Sequence, residues 1–528
     1  MTSRDFQIPG RSPVLAASAM CATSHPLASE AAIGVLRRGG NAVDAAITAA
    51  AVLAVVEPAM TGIAGDCFAI IAKPGRPLIG INGSGRAPAG IDAERLRAEG
   101  GSIAEESPAA ITVPGAIDAW DRLLAAHGTI SLGEALQPAI VLAEQGAPVH
   151  PRVALDWSDH VERLNLNPGA RALYTKDGKA FEIGDRHRQP QLAETMRLIA
   201  EQGRDAFYCG EIAQRTVAFL QALGGVHTMA DFAACAADWV EPVVRPYRGI
   251  EIAELPPNTQ GVTVQLILGI LEQFDLAALA HDSAERFHLE LEAARSAYRF
   301  RDAFIADAAA MSVSVDQLLD KGLARQLASK ITPGQRTGDL GPVRLDGSDT
   351  VYLTVVDRDW MAVSFINSIY HAFGSRIADP ETGLLFHSRG SCFVLDEGHP
   401  NCIAPNKRPM HTIIPGMALR NGRADLSFGV MGAAFQPIGQ AHVVSNVYDY
   451  GMDIQAAIDH PRMFWKEGKI AAERDVSEAT LRALADYGHD VGPAVRPWGG
   501  GQGIMLDWER GVLIGGSDPR KDGLAIGF

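Results

Sequence analysis

The stretch TVYLTVVDRDWMAVSFINS, residues 350–368, constrains the fold more than any other. Two strand-length runs flank the turn DRDW, and each is apolar or small at nearly every position instead of every second one. Strands written this way are buried on both faces, so the sheet that holds them needs cover on both sides. Candidate cover precedes them. Pro26 suits a first helical turn, Gly39-Gly40 stops that helix, and Asn41 can cap the next, AVDAAITAAAVLAVV, which ends at Glu57-Pro58. The region 22–58 therefore reads as helical, with Ser24 as a cap. The middle third carries further helical patterns, among them SLGEALQPAIVLAEQG and HLELEAARSAYRFRDAF. Additional strands are expected at PVLAASAM, CFAIIAK, LSFGVMG, GIMLDWE and GVLIGGSD. Helices first and strands later predict an α+β chain with sheets between helical layers.

Composition excludes several classes. A chain of 528 residues with 47% hydrophobic and 21% charged content can build a large core. Its net charge of −15 comes without a basic stripe, which argues against a nucleic-acid partner. The longest apolar run, Ala45–Val56, falls short of the roughly 18 residues that span a bilayer, so no membrane partner is expected. The N-terminus lacks a basic segment leading into an apolar one and reads as a first strand. The six cysteines (Cys21, Cys67, Cys209, Cys235, Cys392 and Cys402) form no C-x-x-C pair. That favours reduced thiols, a cytoplasmic location and no zinc site. There is no H-E-x-x-H, P-loop, G-x-S-x-G or EF-hand pattern. WGGGQG at 498–503 follows no expected strand, so a dinucleotide is not expected, and His288 reads as a structural histidine. Neither metal nor organic cofactor is called for.

Chemistry enters at Thr350, which stands between the polar loop Asp346-Gly347-Ser348-Asp349 and the first apolar run. A threonine hydroxyl needs a base beside it to act as a nucleophile. Cutting the bond between Asp349 and Thr350 would supply one, because the new α-amine, with a pKa of about 7.7 to 8.0, sits on the same residue. A loop gives slack for such a cut and a strand holds the hydroxyl still. Taken alone, this junction is equally that of any structural threonine.

The surroundings narrow the choice. Together with GGNAVDAAI (39–47), EPAMTGIAGD (57–66), VPGAIDAW (113–120), PNKRPMHT (405–412) and SDPRKDG (517–523), the Thr350 stretch resembles the γ-glutamyltranspeptidase family of N-terminal-nucleophile hydrolases, in the family's order and from about residue 12 to the end. The resemblance implies a four-layer αββα sandwich and a precursor that cuts itself into a large chain, 1–349, and a small chain, 350–528, which stay associated in one sandwich. It implies Thr350 as nucleophile and Ser368 as the hydroxyl that supports its amine. Gly432-Ala433 would offer backbone N–H groups to the oxyanion, a role alanine can fill where the backbone does not demand glycine.

The departures from the family concern substrate. In GSGRAPAG, Ser84 stands where the family's carboxylate-binding arginine is expected, and Arg86 follows two residues later. HSRGSCF offers Arg389, Gly390, Ser391 and Cys392, with no carboxylate where the family grips an α-amino group. Tyr370-His371 and His411-Thr412 replace small polar pairs. Arg86, Tyr370, His371, Ser391, His411 and Thr412 are therefore the expected substrate contacts. An unpartnered buried ammonium is costly, so a small amide that carries a carboxylate but no α-amino group, such as oxamate, is the expected substrate. A γ-glutamyl hydrolase or transferase acting on glutathione, a dicarboxyl-type (cephalosporin) acylase, and an uncleaved protein that binds a ligand without turnover remain open, as does self-association.

Overall fold

The computed structural model describes residues 6, 7, 9–338, 350–466 and 468–528. Two seven-stranded sheets form its centre. Sheet I runs Val14–Ala16, Val512–Ser517, Gly500–Asp507, Arg423–Met431, Gly416–Arg420, Ile250–Glu254, Val243–Tyr247. Sheet II runs Leu524–Gly527, Met20–Thr23, Val351–Val356, Ala362–Ser368, Asp66–Ala72, Ile79–Gly83, Asp238–Val240. Every neighbouring pair in both sheets is antiparallel. Both sheets combine strands from before and after residue 350, so neither half of the sequence supplies a whole sheet.

The strand period of two sorts the side chains into layers. Along Val351–Val356 and Ala362–Ser368, the residues Val351, Leu353, Val355, Val363 and Phe365 face outward, into a core shared with the helices Pro26–Arg37 and Ala42–Val56. Tyr352, Val356, Ala362 and Ile366 face inward, against Ile413, Met417 and Leu506 of the sheet I side. Sheet I buries its other face under the helices Gly261–Leu271 and Gln436–Tyr448. The result is the expected αββα sandwich, with every residue of Ala42–Val56 buried.

Local chemistry sets the ends of that helix. Asn41 accepts from the N–H groups of Val43 and Asp44, and the Asp44 carboxylate takes the Asn41 N–H in return, a capping box. Some boundaries differ from the sequence reading. Met20–Thr23 is a strand, and the helix after it is capped by His25, whose ring accepts from the Leu27 N–H, not by Ser24. The strand expected at GIMLDWE starts earlier, at Gly500, inside WGGGQG, and ends at Asp507. The strands Val243–Tyr247 and Ile250–Glu254 were not expected. Charged residues and Pro246 obscure their pattern, and Pro246 is tolerated because its strand forms the sheet edge.

Candidate active site

Three neighbouring strands of sheet II bring three polar residues to the same end. Thr350 directly precedes Val351–Val356, Ser368 closes the next strand, and Asp66 opens the one after and pairs with Ser368 in register. All three share the parity of the inward-facing residues, so they point between the sheets. The segments carrying His411-Thr412 and Gly432-Ala433 lead into and out of sheet I strands and close the site from the other side. Thr350 is 1% exposed, and Ser368 and Asp66 are fully buried.

The Thr350 Oγ1 lies 3.1 Å from the Ser368 Oγ. Ser368 Oγ also accepts from the Tyr370 N–H at 2.9 Å and from Arg389 Nη2 at 3.2 Å. Ser368 Oγ is thus the acceptor in two bonds, and in its contact with Thr350 either hydroxyl can donate. Tyr370 makes the first bond by turning its backbone to a φ of +80°. Its ring then lies under the Arg389 guanidinium, 4.2 Å away, and packs on Cys392 and Ala433.

Arg389 opens a short 3-10 turn and is fully buried. Its Nη1 donates to the Thr412 Oγ1 at 2.9 Å. Its Nε faces the Asp66 carboxylate at 3.9 Å and makes no hydrogen bond. Asp66 is already engaged, with His411 Nε2 at 2.9 Å, the Gly85 N–H at 2.9 Å and His387 Nδ1 at 3.5 Å. Burial alone would raise the Asp66 pKa, but His387, His411 and Arg389 outweigh it and hold the carboxyl well below the usual range. Burial, helped by the Arg389 charge, lowers His411 to about 3 against the pull of Asp66. Near neutral pH the cluster is an ionised carboxylate, two neutral imidazoles and a guanidinium.

On the sheet I side, Gln260 Nε2 donates to the carbonyls of both Thr412 (2.6 Å) and Ala433 (2.9 Å), and Arg301 Nη1 donates to Gln260 Oε1 at 3.0 Å. Gly432 has φ +120° and Ala433 has φ +45°. A side chain at Gly432 would meet Gly499 Cα at 3.1 Å. The turn is thus one that glycine favours at both positions, and Ala433 adopts it at a cost of about 1–2 kcal/mol.

A small cavity opens beside the cluster, lined by Arg301, Tyr370, Ser391, Cys392, Met410, Thr412 and Ala434. Of the residues expected at a substrate site, Tyr370, Ser391 and Thr412 line it. His411 sits behind Thr412 on Asp66. His371 packs on Tyr370, 4.1 Å between ring centroids, with Nδ1 on the Ser388 Oγ and Nε2 3.5 Å from Glu105. The structure does not bring Arg86 to this cavity: it is half-exposed, pairs with Asp307 and Asp238, and donates to the Asn406 carbonyl. Asp349 lies outside the described residues.

Asp66, His387, Gln260 and Arg301 were not singled out from sequence. Asp66 sits inside the quoted TGIAGD stretch, and a charged residue opening an otherwise apolar strand was its one legible signal. Among the described residues, one grouping has metal-ligand types: His288, Glu292 and His489. It lies away from these groups, and its members already bond one another or their neighbours: His288 to His489 and the Thr332 carbonyl, and Glu292 to Arg295 and the Thr337 N–H.

The γ-glutamyltranspeptidase family model matches residues 28–528. The chain belongs to that family. It is an N-terminal-nucleophile amidohydrolase, the class in which a threonine nucleophile is typical. Over 98% of its length it is 39% identical to the glutathione hydrolase-like YwrD proenzyme of Bacillus subtilis, covering 99% of that protein. It is 34% identical to the oxamate amidohydrolase proenzyme of Klebsiella pneumoniae, covering 96% of this chain and 98% of that one. The crystal structure of a cephalosporin acylase from Bacillus halodurans superposes with a TM-score of 0.93 at 36% identity, covering 100% of this chain and 99% of that one. Family membership agrees with the αββα architecture. Among the described residues, no helix is long and apolar enough to cross a membrane.

Proposed function

We propose that the chain matures by cutting the Asp349–Thr350 bond and then hydrolyses the amide of a small carboxylate-bearing substrate, with oxamate the favoured example. In maturation, Thr350 Oγ1 attacks the carbonyl carbon of residue 349, and the peptide C–N bond gives way to an ester. Water then cleaves the ester, leaving a large chain, 1–349, and a small chain, 350–528, whose strands stay interleaved in both sheets. The relatives described as proenzymes support such processing.

In turnover, the free α-amine of Thr350 takes the hydroxyl proton as Oγ1 bonds to the amide carbon. The Ser368 hydroxyl, 3.1 Å from Oγ1, supports the charge that develops there. The N–H groups of Gly432 and Ala433 receive the substrate oxyanion, a kind of donation commonly worth 10²–10³ in rate per donor. Collapse breaks the C–N bond, and the amine passes its proton to the leaving nitrogen, which departs as ammonia. Water, deprotonated by the same amine, then attacks the acyl ester and releases the acid. For oxamate the net reaction consumes one water and yields oxalate and ammonium.

One observation carries the substrate class. The cavity wall contains no carboxylate, the nearby carboxylate, Asp66, is already spent on two imidazoles and a backbone N–H, and the buried Arg389 guanidinium lies beside Ser368 with no carboxylate closer than 3.9 Å among the described residues. An anionic substrate meets positive charge there, whereas an α-ammonium finds no partner. A second reading, a dicarboxyl-type acylase, is favoured by the likeness to the cephalosporin acylase.

Ammonia release from oxamate, measured beside cleavage of γ-glutamyl-p-nitroanilide and of a glutaryl-β-lactam, tests the proposal. Turnover of oxamate with little of the other two is expected. Efficient γ-glutamyl cleavage without oxamate turnover would overturn it in favour of a glutathione-type enzyme.

A further inference from the structure

Most buried or half-buried arginines near the site have a carboxylate in direct contact. Arg301 pairs with Asp302 at 2.7 Å, Arg376 with Glu105 at 2.7 Å, and Arg86 with Asp307 at 3.5 Å. Arg389 differs. It is fully buried, yet its hydrogen bonds go to uncharged groups: the Ser368 hydroxyl, the Thr412 hydroxyl and the Cys392 sulfur. Its nearest described carboxylate, Asp66, stands off at 3.9 Å, and the Nε between them makes no hydrogen bond. A guanidinium is built to grip a carboxylate with two parallel N–H groups. Holding one in the interior with only hydroxyl partners in contact leaves part of its desolvation cost unmet.

We propose that Arg389 is the group that reads the substrate carboxylate, that Asp66 positions it, and that its closeness to Thr350 restricts the enzyme to amides whose carboxylate lies next to the scissile carbonyl. This rests on Thr350 being the nucleophile. Only two hydrogen bonds, of 3.1 and 3.2 Å, separate the Thr350 Oγ1 from the Arg389 guanidinium, with the Ser368 hydroxyl as the link. The scissile carbon must bond to that Oγ1, so a carboxylate attached directly to it reaches the guanidinium by displacing weak hydroxyl contacts. Each methylene inserted between the two carries the carboxylate past Arg389. A γ-glutamyl donor, with three carbons between its α-carboxylate and the scissile carbonyl, overshoots. The Tyr370 ring closes one face of the guanidinium, and the Ser368 and Thr412 hydroxyls cap its Nη edge, so these are the contacts the carboxylate must displace. Asp66 acts through Arg389: it fixes the Nε side by charge while His411, His387 and the Gly85 N–H hold the carboxylate still. It is a positioning residue.

The test is a chain-length series on the mature two-chain enzyme: kcat and KM for oxamate, succinamate and glutaramate, with the uncharged amide propionamide as reference. Oxamate should have the highest kcat/KM, at least tenfold above glutaramate. Arg389→Lys keeps a charge but loses the fork, and should raise the KM for oxamate at least tenfold with a smaller change in kcat, a larger loss than it causes for propionamide. Asp66→Asn should show the same split, which a merely structural role would not produce. Gel electrophoresis confirms that each variant has matured; if a variant does not mature, the wild-type series decides. A series that peaks at glutaramate overturns the short-range reading while leaving the nucleophile assignment intact. A KM for oxamate unchanged in matured Arg389→Lys overturns the role of Arg389. A fully matured wild type that turns over none of the carboxylate amides overturns the proposed substrate class itself.

Discussion

Asp66 and Ser368 face each other in register across neighbouring antiparallel strands and divide the work of the site. Ser368 holds the hydroxyl of Thr350, and Asp66 holds His411, His387 and, at longer range, Arg389. The two arms rejoin where Arg389 donates to Ser368. The proposed nucleophile and the proposed binding group therefore answer to one pair of adjacent backbone positions.

Removing Asp66 strands a buried guanidinium and leaves the His411 ring without its acceptor. Asp66→Ala should lower folding stability by about 3–5 kcal/mol, the cost of breaking a buried charged pair from one side. Denaturant unfolding monitored by tryptophan fluorescence measures it. A loss under 1 kcal/mol would mean that the cluster is not coupled as drawn.

Ser368→Ala removes the hydroxyl bonded to Thr350 but leaves its amine and the proposed oxyanion donors. A loss of about 10²-fold in kcat is expected, the size of one lost transition-state donor. Unchanged turnover in matured Ser368→Ala protein would assign Ser368 a purely structural role.

The oxyanion turn separates two adjacent positions. Gly432→Ala places a Cβ 3.1 Å from Gly499 Cα at a φ of +120°, so it should cost at least about 1–2 kcal/mol and reduce kcat about 10²-fold. Ala433→Gly relieves a left-handed alanine and should keep activity within about threefold of wild type, since glycine retains the N–H. Equal, severe losses in both would place the oxyanion donors elsewhere.

Stability should fall as pH drops from about 6.5 toward 4. Burial lowers His25, His371 and His411 to about 3 and His187 to about 4, so the unfolded chain takes up protons that the folded one refuses. Each such histidine costs up to about 1.4 kcal/mol per pH unit in that window. Acids with raised pKa values oppose the trend, among them Glu57, raised to about 7, Asp459, raised to about 6, and Glu254, which burial pushes well above the usual carboxylate range. The lowered histidines, which also include His127, His227, His387, His442 and His489, are more numerous than the raised acids, so the melting temperature should be lower at pH 5 than at pH 7. A higher melting temperature at pH 5 would contradict this balance.

The fold was legible because its signals are local. The doubly buried strands 351–356 and 362–368 announce a covered sheet, and Asn41 with Asp44 writes its own helix start. Much of the site was legible through motif: Thr350, Ser368, Tyr370, Thr412 and Ala433 do converge. Asp66, Gln260 and Arg301 were not, because each acts across a long stretch of chain, Asp66 on His411 345 positions away and Gln260 on Ala433 173 positions away. No local pattern encodes such a pairing. Arg86 shows the converse: an arginine two residues from the expected place has the right chemistry in sequence, but acidic neighbours at 238 and 307 capture it in space.

The most direct measurement is N-terminal sequencing of the fragments in an active preparation, alongside Thr350→Ala. The account predicts a small fragment beginning Thr350-Val351-Tyr352, amidase activity that rises with its yield, and a Thr350→Ala chain that stays full-length and inactive. Amide turnover by a chain still joined across residues 349 and 350, or normal processing of Thr350→Ala, would contradict it.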